Sequence, residues 1–73
     1  MNWINDDIKI DFEVPKLLQS VIDEIEEADR KGDAPEYAGL AKAVDNVAKN
    51  FINCGKITHK QWDIICERYP QNA

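Results

Sequence analysis

Three side chains near the end of the sequence have the chemistry to hold a metal ion or to act on a substrate. His59, Asp63 and Cys66 fall within an arc of about 60° if residues 58–69 form a helix. Imidazole, carboxylate and thiolate groups are zinc ligands, but this spacing matches no closed structural zinc site. A Cys–His nucleophile also needs a pocket, which three short helices do not imply. We therefore expect no catalytic residues, no metal and no cofactor, and we interpret Cys66 as a small core residue.

The same stretch has the order of a helix-turn-helix DNA-binding unit. His59, Lys60 and Gln61 would begin the recognition helix, and Arg68 would lie near its end. Residues 34–73 carry five basic and four acidic side chains, a net charge of only +1. Binding to the phosphate backbone needs a clear excess of positive charge. A DNA-binding regulator is therefore the alternative hypothesis rather than the leading one.

Acidic side chains are concentrated in the first half of the chain. Residues 1–33 carry ten acidic and four basic side chains, a net charge of −6. Asp23, Glu24 and Glu27, which we call the acidic face, lie on the polar side of the first predicted helix. Such a surface speeds encounter with a basic protein and repels wrong partners. The competing interpretation is a solvated helix face, on which the i,i+4 spacing predicts two ion pairs, Glu26–Arg30 and Glu27–Lys31.

Alternating apolar residues before the first proline predict a strand. Ile8, Ile10, Phe12 and Val14 alternate with charged residues, which is typical of a strand with one buried face. A single strand cannot satisfy its own backbone groups. It must pair with a second copy, pair with a partner, or lie as an extended arm on the helices. Self-pairing would set opposite charges across the ladder, so we expect a homodimer in which Ile8, Ile10 and Phe12 contact the partner.

Three helices must position all of these groups. Apolar residues at helical spacing and terminal signals predict helices over 15–31, 34–54 and 58–69, after an arm or strand over 1–14. Gly32 and Gly55 are the predicted stops. The segments that begin at Asp33 and Thr58 have the form of capping boxes.

The apolar surfaces of the helices predict how they pack. The first helix has six apolar residues on one face: Leu17, Leu18, Val21, Ile22, Ile25 and Ala28. The second is apolar over nearly half of its circumference, which predicts a central helix with neighbours on two sides. We expect Gly39 and the alanines of this helix to permit close approach of a neighbouring helix. Trp3 is expected to fold back on the helices and seal the small core, and the alternative is that it anchors a partner.

Size and composition narrow the possible functions. The chain has 73 residues, which predicts one domain over 1–73, and it carries two cysteines, which we expect to be free thiols. Its net charge of −5 argues against binding to nucleic acid. No leader and no membrane-length apolar stretch is apparent, which predicts a cytoplasmic protein without membrane contact.

These observations predict a mostly α domain, a three-helix bundle preceded by a short strand or extended arm. The leading functional hypothesis is a small acidic protein-binding module of the inhibitor, antitoxin or immunity type. The alternatives are the DNA-binding regulator and a structural homo-oligomer with no catalytic role.

Overall fold

The computed structural model describes residues 3–71 and contains three helices. They are α1 (Lys16–Lys31), α2 (Ala34–Asn53) and α3 (His59–Arg68). The prediction of a mostly α, three-helix domain is confirmed. Four of the six predicted helix ends lie one residue too far out. The residues at these four positions are the helix caps Pro15, Cys54, Thr58 and Tyr69. No helix in this part of the chain has both the length and the apolar character to cross a membrane.

Two of the helix ends follow the local signals closely. Gly32 ends α1 in the left-handed conformation, at φ 70°, which a residue without a β-carbon adopts at little cost. Thr58 begins α3 with a complete capping box. Its hydroxyl accepts the Gln61 N–H at 3.1 Å, and the Gln61 side chain accepts the Thr58 N–H at 2.9 Å.

The cap of α2 is only half of the predicted box. Asp33 accepts the Glu36 N–H at 3.2 Å, so the N-cap forms. The Glu36 carboxylate does not return to the Asp33 backbone but lies 3.5 Å from the Lys31 ammonium. An ion pair across the α1–α2 turn therefore replaces the second hydrogen bond of the box.

α2 is the central helix, as its wide apolar surface predicts. It packs against α1 on one side and against α3 on the other. The largest fully buried side chains come from all three helices: Leu18, Ile25, Tyr37, Val44 and Ile65. Burying each of the aliphatic side chains stabilises the fold by roughly 1.5–3 kcal/mol.

The small residues of α2 differ in their surroundings. The prediction is wrong for Gly39, since a β-carbon at that position would meet nothing within 4 Å. Ala41 and Ala48, in contrast, are buried. On α1, Leu17 is 61% exposed, because it lies at the margin of the apolar arc, where no helix covers it.

The N-terminal segment lies against the helices without forming a strand among residues 3–71. Ile10, Phe12 and Val14 are half-buried and pack against the core. Trp3 also packs there, with its ring centroid 5.2 Å from that of Tyr37, as expected for a residue that seals the core. Pairing of this segment with a second copy concerns two molecules and stays a prediction.

Candidate interaction surfaces

Arg68 ties the N-terminal arm to the helices. Its guanidinium donates to the Ile8 carbonyl oxygen at 2.8 Å and lies 3.2 Å from the Glu26 carboxylate. The Asn5 N–H donates in turn to the Arg68 carbonyl oxygen at 2.9 Å. Only 15% of the Arg68 side chain is exposed. Contact with a phosphate group would require breaking these bonds first.

Glu26 and Tyr69 complete the same network. The Tyr69 hydroxyl donates to Glu26 Oε2 at 2.6 Å and accepts from Arg68 Nε at 3.1 Å. Burial, followed by the hydrogen bond to Glu26, raises the pKa of Tyr69 above its usual value. The predicted Glu26–Arg30 ion pair is wrong. Glu26 instead accepts a charge-assisted hydrogen bond from the Arg68 guanidinium and a hydrogen bond from the Tyr69 hydroxyl, and neither donor belongs to α1.

The acidic face is exposed along α1. Asp23 and Glu24 are exposed and Glu27 is half-buried. Gln19 Nε2 donates to Asp23 Oδ1 at 2.9 Å, and Glu27 pairs with Arg30 one turn away. The predicted Glu27–Lys31 pair is wrong, since the Lys31 ammonium lies against Glu36 of α2 instead. Within residues 3–71, neither Asp23 nor Glu24 forms an ion pair.

The arm residues predicted to contact a partner lie beside Arg68. Ile8 is half-buried, and its carbonyl oxygen accepts from Arg68. Ile10 and Phe12 line a groove of about 320 Å³ that Gln19 also borders. Gln19 is the link to the acidic face, because it hydrogen-bonds Asp23. The arm therefore lies next to the acidic face of α1, but the two surfaces do not form one site.

Asp45 holds α2 and α3 together. Its Oδ1 atom accepts from Trp62 Nε1 at 2.8 Å and from the Cys66 thiol at 3.6 Å, and its Oδ2 atom lies 3.8 Å from Lys49 Nζ. Lys49 also sits 5.5 Å from the centre of the Trp62 ring. Burial and the adjacent Asp45 carboxylate raise the pKa of Cys66 to about 11. These contacts fix α3 against α2, so the helix–turn–helix segment is held together by side-chain hydrogen bonds.

The four residues of the DNA-binding alternative do not form one surface. His59 and Lys60 are exposed at the start of α3. Gln61 is held by the capping box, and Arg68 belongs to the network at the opposite end of the helix. Only the first two are available to a nucleic acid without a change in the fold.

A buried carboxylate went unpredicted. Asp29 is 8% exposed, and its Oδ1 atom accepts the backbone N–H of Trp3 at 2.6 Å. Nearby, the Tyr37 hydroxyl is buried without a hydrogen-bond partner among the described residues. Burial and then Asp29 raise the pKa of Tyr37 to about 12. The sequence does contain a sign that Asp29 is buried: it lies four residues after Ile25 and therefore on the apolar side of α1.

The residues considered for metal binding also lie apart. Within residues 3–71, no three His, Cys, Asp or Glu side chains are placed to hold a metal ion. His59 stands edge-on to Trp62, with the ring centroids 6.4 Å apart, while Cys66 donates to Asp45. Cys54 is exposed, and both cysteines are free thiols.

Comparison of the chain with known proteins finds no similar protein. No family model matches the chain, and no curated protein or solved structure is significantly similar to it.

Proposed function

We propose that this chain is a small cytoplasmic protein-binding module of the inhibitor, antitoxin or immunity type, which acts by contact with a basic protein. One observation carries the proposal: Asp23 and Glu24 stand exposed on α1 without a cation in ion-pairing range among residues 3–71. Carboxylates left unneutralised on a rigid helix are available to lysine or arginine side chains of a partner.

Glu27 extends this surface even though it has an intramolecular partner. It pairs with Arg30, but 47% of the Glu27 side chain and 71% of the Arg30 side chain are exposed. An exposed pair of this kind contributes typically about 0–1 kcal/mol. A basic group of a partner can therefore replace Arg30 at little cost.

The overall charge supports the same choice of partner. The chain carries −5, and residues 1–33 alone carry −6. A field of one sign attracts a basic protein over distances of about one Debye length, roughly 8–10 Å at ordinary salt. Binding should therefore be faster at low salt and should weaken as salt rises.

A pair of matched charge reversals tests the proposal. The variant Asp23→Lys plus Glu27→Lys reverses the acidic face, and Asp63→Lys plus Glu67→Lys is its control. The control residues are also exposed acids at i,i+4 spacing, but on α3. We expect proteins captured by the unaltered chain to be lost with the first variant and kept with the second. The salt dependence of capture should flatten only with the first.

Equal capture by all three proteins would refute the proposal. The same holds if both variants lose capture together, since the effect would then follow net charge alone. If capture is unaffected while the protein shifts a labelled duplex at low salt, His59 and Lys60 of the DNA-binding alternative become the residues to examine.

A further inference from the structure

The arm, residues 3–14, has two anchors on the helices. The Trp3 N–H donates to the Asp29 carboxylate at 2.6 Å. The Asn5 N–H donates to the Arg68 carbonyl oxygen at 2.9 Å, and the Arg68 guanidinium donates to a carbonyl oxygen of the arm at 2.8 Å. The anchors are therefore Asp29 on α1 and Arg68 on α3.

The second half of the arm has no anchor of this kind. Residues 9–14 form no hydrogen bond to the helices within the described part of the chain. Ile10, Phe12 and Val14 pack half-buried against the core instead. Because apolar contacts are not directional, the position of the whole arm depends on the two anchors in its first half.

The anchor at Asp29 includes a third side chain, Tyr37. The ring of Trp3 lies 5.2 Å from the ring of Tyr37, whose buried hydroxyl has no hydrogen-bond partner among the described residues. Asp29 and Tyr37 lie four residues before and four residues after Asp33, the N-cap of α2, which places them side by side across the α1–α2 turn. Burial, and after it the Asp29 carboxylate, raise the pKa of Tyr37 to about 12. The hydroxyl is thus a buried donor beside a carboxylate that accepts the Trp3 N–H.

We propose that the arm is a detachable strap, and that Asp29 accepts the Tyr37 hydroxyl in place of the Trp3 N–H when the arm detaches. With the arm in place, no hydrogen bond within residues 3–71 offsets the cost of removing this hydroxyl from water. With the arm detached, the hydroxyl gains a bond to a charged acceptor, which is among the stronger hydrogen bonds in proteins. This gain offsets part of the cost of losing the contacts of the arm. Detachment therefore needs less free energy than unfolding of the three helices.

Detachment uncovers two apolar side chains together. With the arm in place, Ile4 is buried and Trp3 is half-buried. Both leave the core with the arm, so the tryptophan that seals the core becomes available to a partner. The strap is separate from the proposed function, because Asp23 and Glu24 are exposed with the arm attached. Failure of the strap leaves capture by the acidic face untouched, and the reverse also holds.

Hydrogen exchange of individual amides, followed by NMR, tests the strap. The amides of Trp3 and Asn5 report on the arm, and the amide of Val44, buried in α2, reports on global unfolding. We expect both arm amides to be less protected than Val44 in the unaltered chain. Protection equal to that of Val44 would mean that the arm leaves only when the whole chain unfolds, and it would overturn the proposal.

Tyr37→Phe and Gly39→Ala form a matched pair of variants. Tyr37→Phe removes the hydroxyl that favours detachment, so the protection of Trp3 and Asn5 should rise about tenfold. Gly39→Ala stabilises α2 without touching a neighbouring side chain. It should raise the protection of Val44 by about two- to fivefold and leave the arm amides unchanged. Arm amides that ignore Tyr37→Phe, or that follow Gly39→Ala, would contradict local detachment.

Asp29→Ala tests the exchange of partners itself. The Asn5 amide keeps its bond to the Arg68 carbonyl oxygen in this variant, so it still reports on the arm. Adding Tyr37→Phe to Asp29→Ala should leave the protection of Asn5 unchanged, because the hydroxyl no longer has a carboxylate to gain. An equal rise with and without Asp29 would refute the exchange. Helical circular dichroism checks that Asp29→Ala folds, and the comparison of Tyr37→Phe with Gly39→Ala does not depend on it.

Discussion

The Tyr69 hydroxyl and the Glu26 carboxylate lie 2.6 Å apart and join the end of α3 to the middle of α1. Within residues 3–71 the backbones of α1 and α3 do not approach each other closely, although side chains from both helices enter the same hydrophobic core. The cluster of Glu26, Arg68 and Tyr69 is a polar link between these helices, and through the Ile8 carbonyl it also holds the arm.

Removing the Tyr69 hydroxyl should weaken the fold. Tyr69→Phe leaves the buried ring in place but deletes the bond to Glu26. A hydrogen bond to a charged group contributes about 1.5–3 kcal/mol, and Glu26 keeps Arg68, so we expect a loss of about 1.5 kcal/mol. Urea denaturation measures it. An unchanged midpoint would show that the network contributes nothing to stability.

The same substitution at Tyr37 should have the opposite effect. Its hydroxyl is buried and has no hydrogen-bond partner within the described part of the chain. Tyr37→Phe removes an uncompensated desolvation cost of about 1–3 kcal/mol, so the denaturation midpoint should rise. A clear drop in the midpoint would mean that the hydroxyl has a partner after all.

Replacing Arg68 should release the arm. Arg68→Ala removes the bonds to the Ile8 carbonyl and to Glu26, while the Asn5–Arg68 backbone bond remains. Trypsin should then cut after the exposed Lys9 faster than in the unaltered chain. Arg30→Ala is the matched control, because Arg30 is 71% exposed and its pair contributes little. Equal cleavage rates after Lys9 in the two variants would contradict this role for Arg68.

Gly39 offers a route to a more stable chain. It lies inside α2 with open space around the position of a β-carbon. Gly39→Ala should raise the free energy of unfolding by roughly 0.5–1 kcal/mol, since glycine is the more flexible residue in the unfolded chain. Gly55→Ala should lower it by about 1–2 kcal/mol, because Gly55 has a φ of 76°. Circular dichroism during thermal unfolding would compare the two, and a Gly39→Ala chain that melts earlier would be inconsistent with this environment.

The two thiols should react at different rates. Burial raises the pKa of Cys66 from its usual 9.0 to about 11, so at about pH 8 its thiolate fraction falls roughly a hundredfold. Cys54 is exposed. A disulfide reagent should therefore give one fast and one slow phase, and Cys54→Ser should abolish the fast one. A fast phase that survives in Cys54→Ser would mean that Cys66 is accessible as a thiolate.

The raised pKa of Cys66 also predicts a loss of stability in alkali. A group whose folded pKa lies above its unfolded value stabilises the fold fully below the unfolded value and progressively less as pH rises through the folded one. The urea midpoint should hold to about pH 9 and then fall towards pH 11. Cys66→Ala should fall less over this interval. Tyr37 and Tyr69, whose pKa values are also raised, add to the loss at still higher pH.

The helices were predictable because their signals are local. Apolar residues three and four apart, the stop at Gly32 and the capping box of Thr58 and Gln61 act within one or two turns. The central position of α2 followed from the width of its apolar surface alone. The exposed acids Asp23 and Glu24 were likewise apparent from the sequence, and their role in binding stays a prediction.

Tertiary structure decided the partners of the charged side chains. Glu26 meets Arg68 and Tyr69, which lie 42 and 43 positions away, rather than Arg30 in the next turn. Asp29 accepts the backbone N–H of Trp3, which the arm brings back to α1, and Leu17 stays exposed although it lies on the apolar side of α1. Helical periodicity specifies which face of a helix is apolar. Which neighbour covers that face, and which distant donor a buried carboxylate accepts, depends on contacts that form only when the whole chain packs.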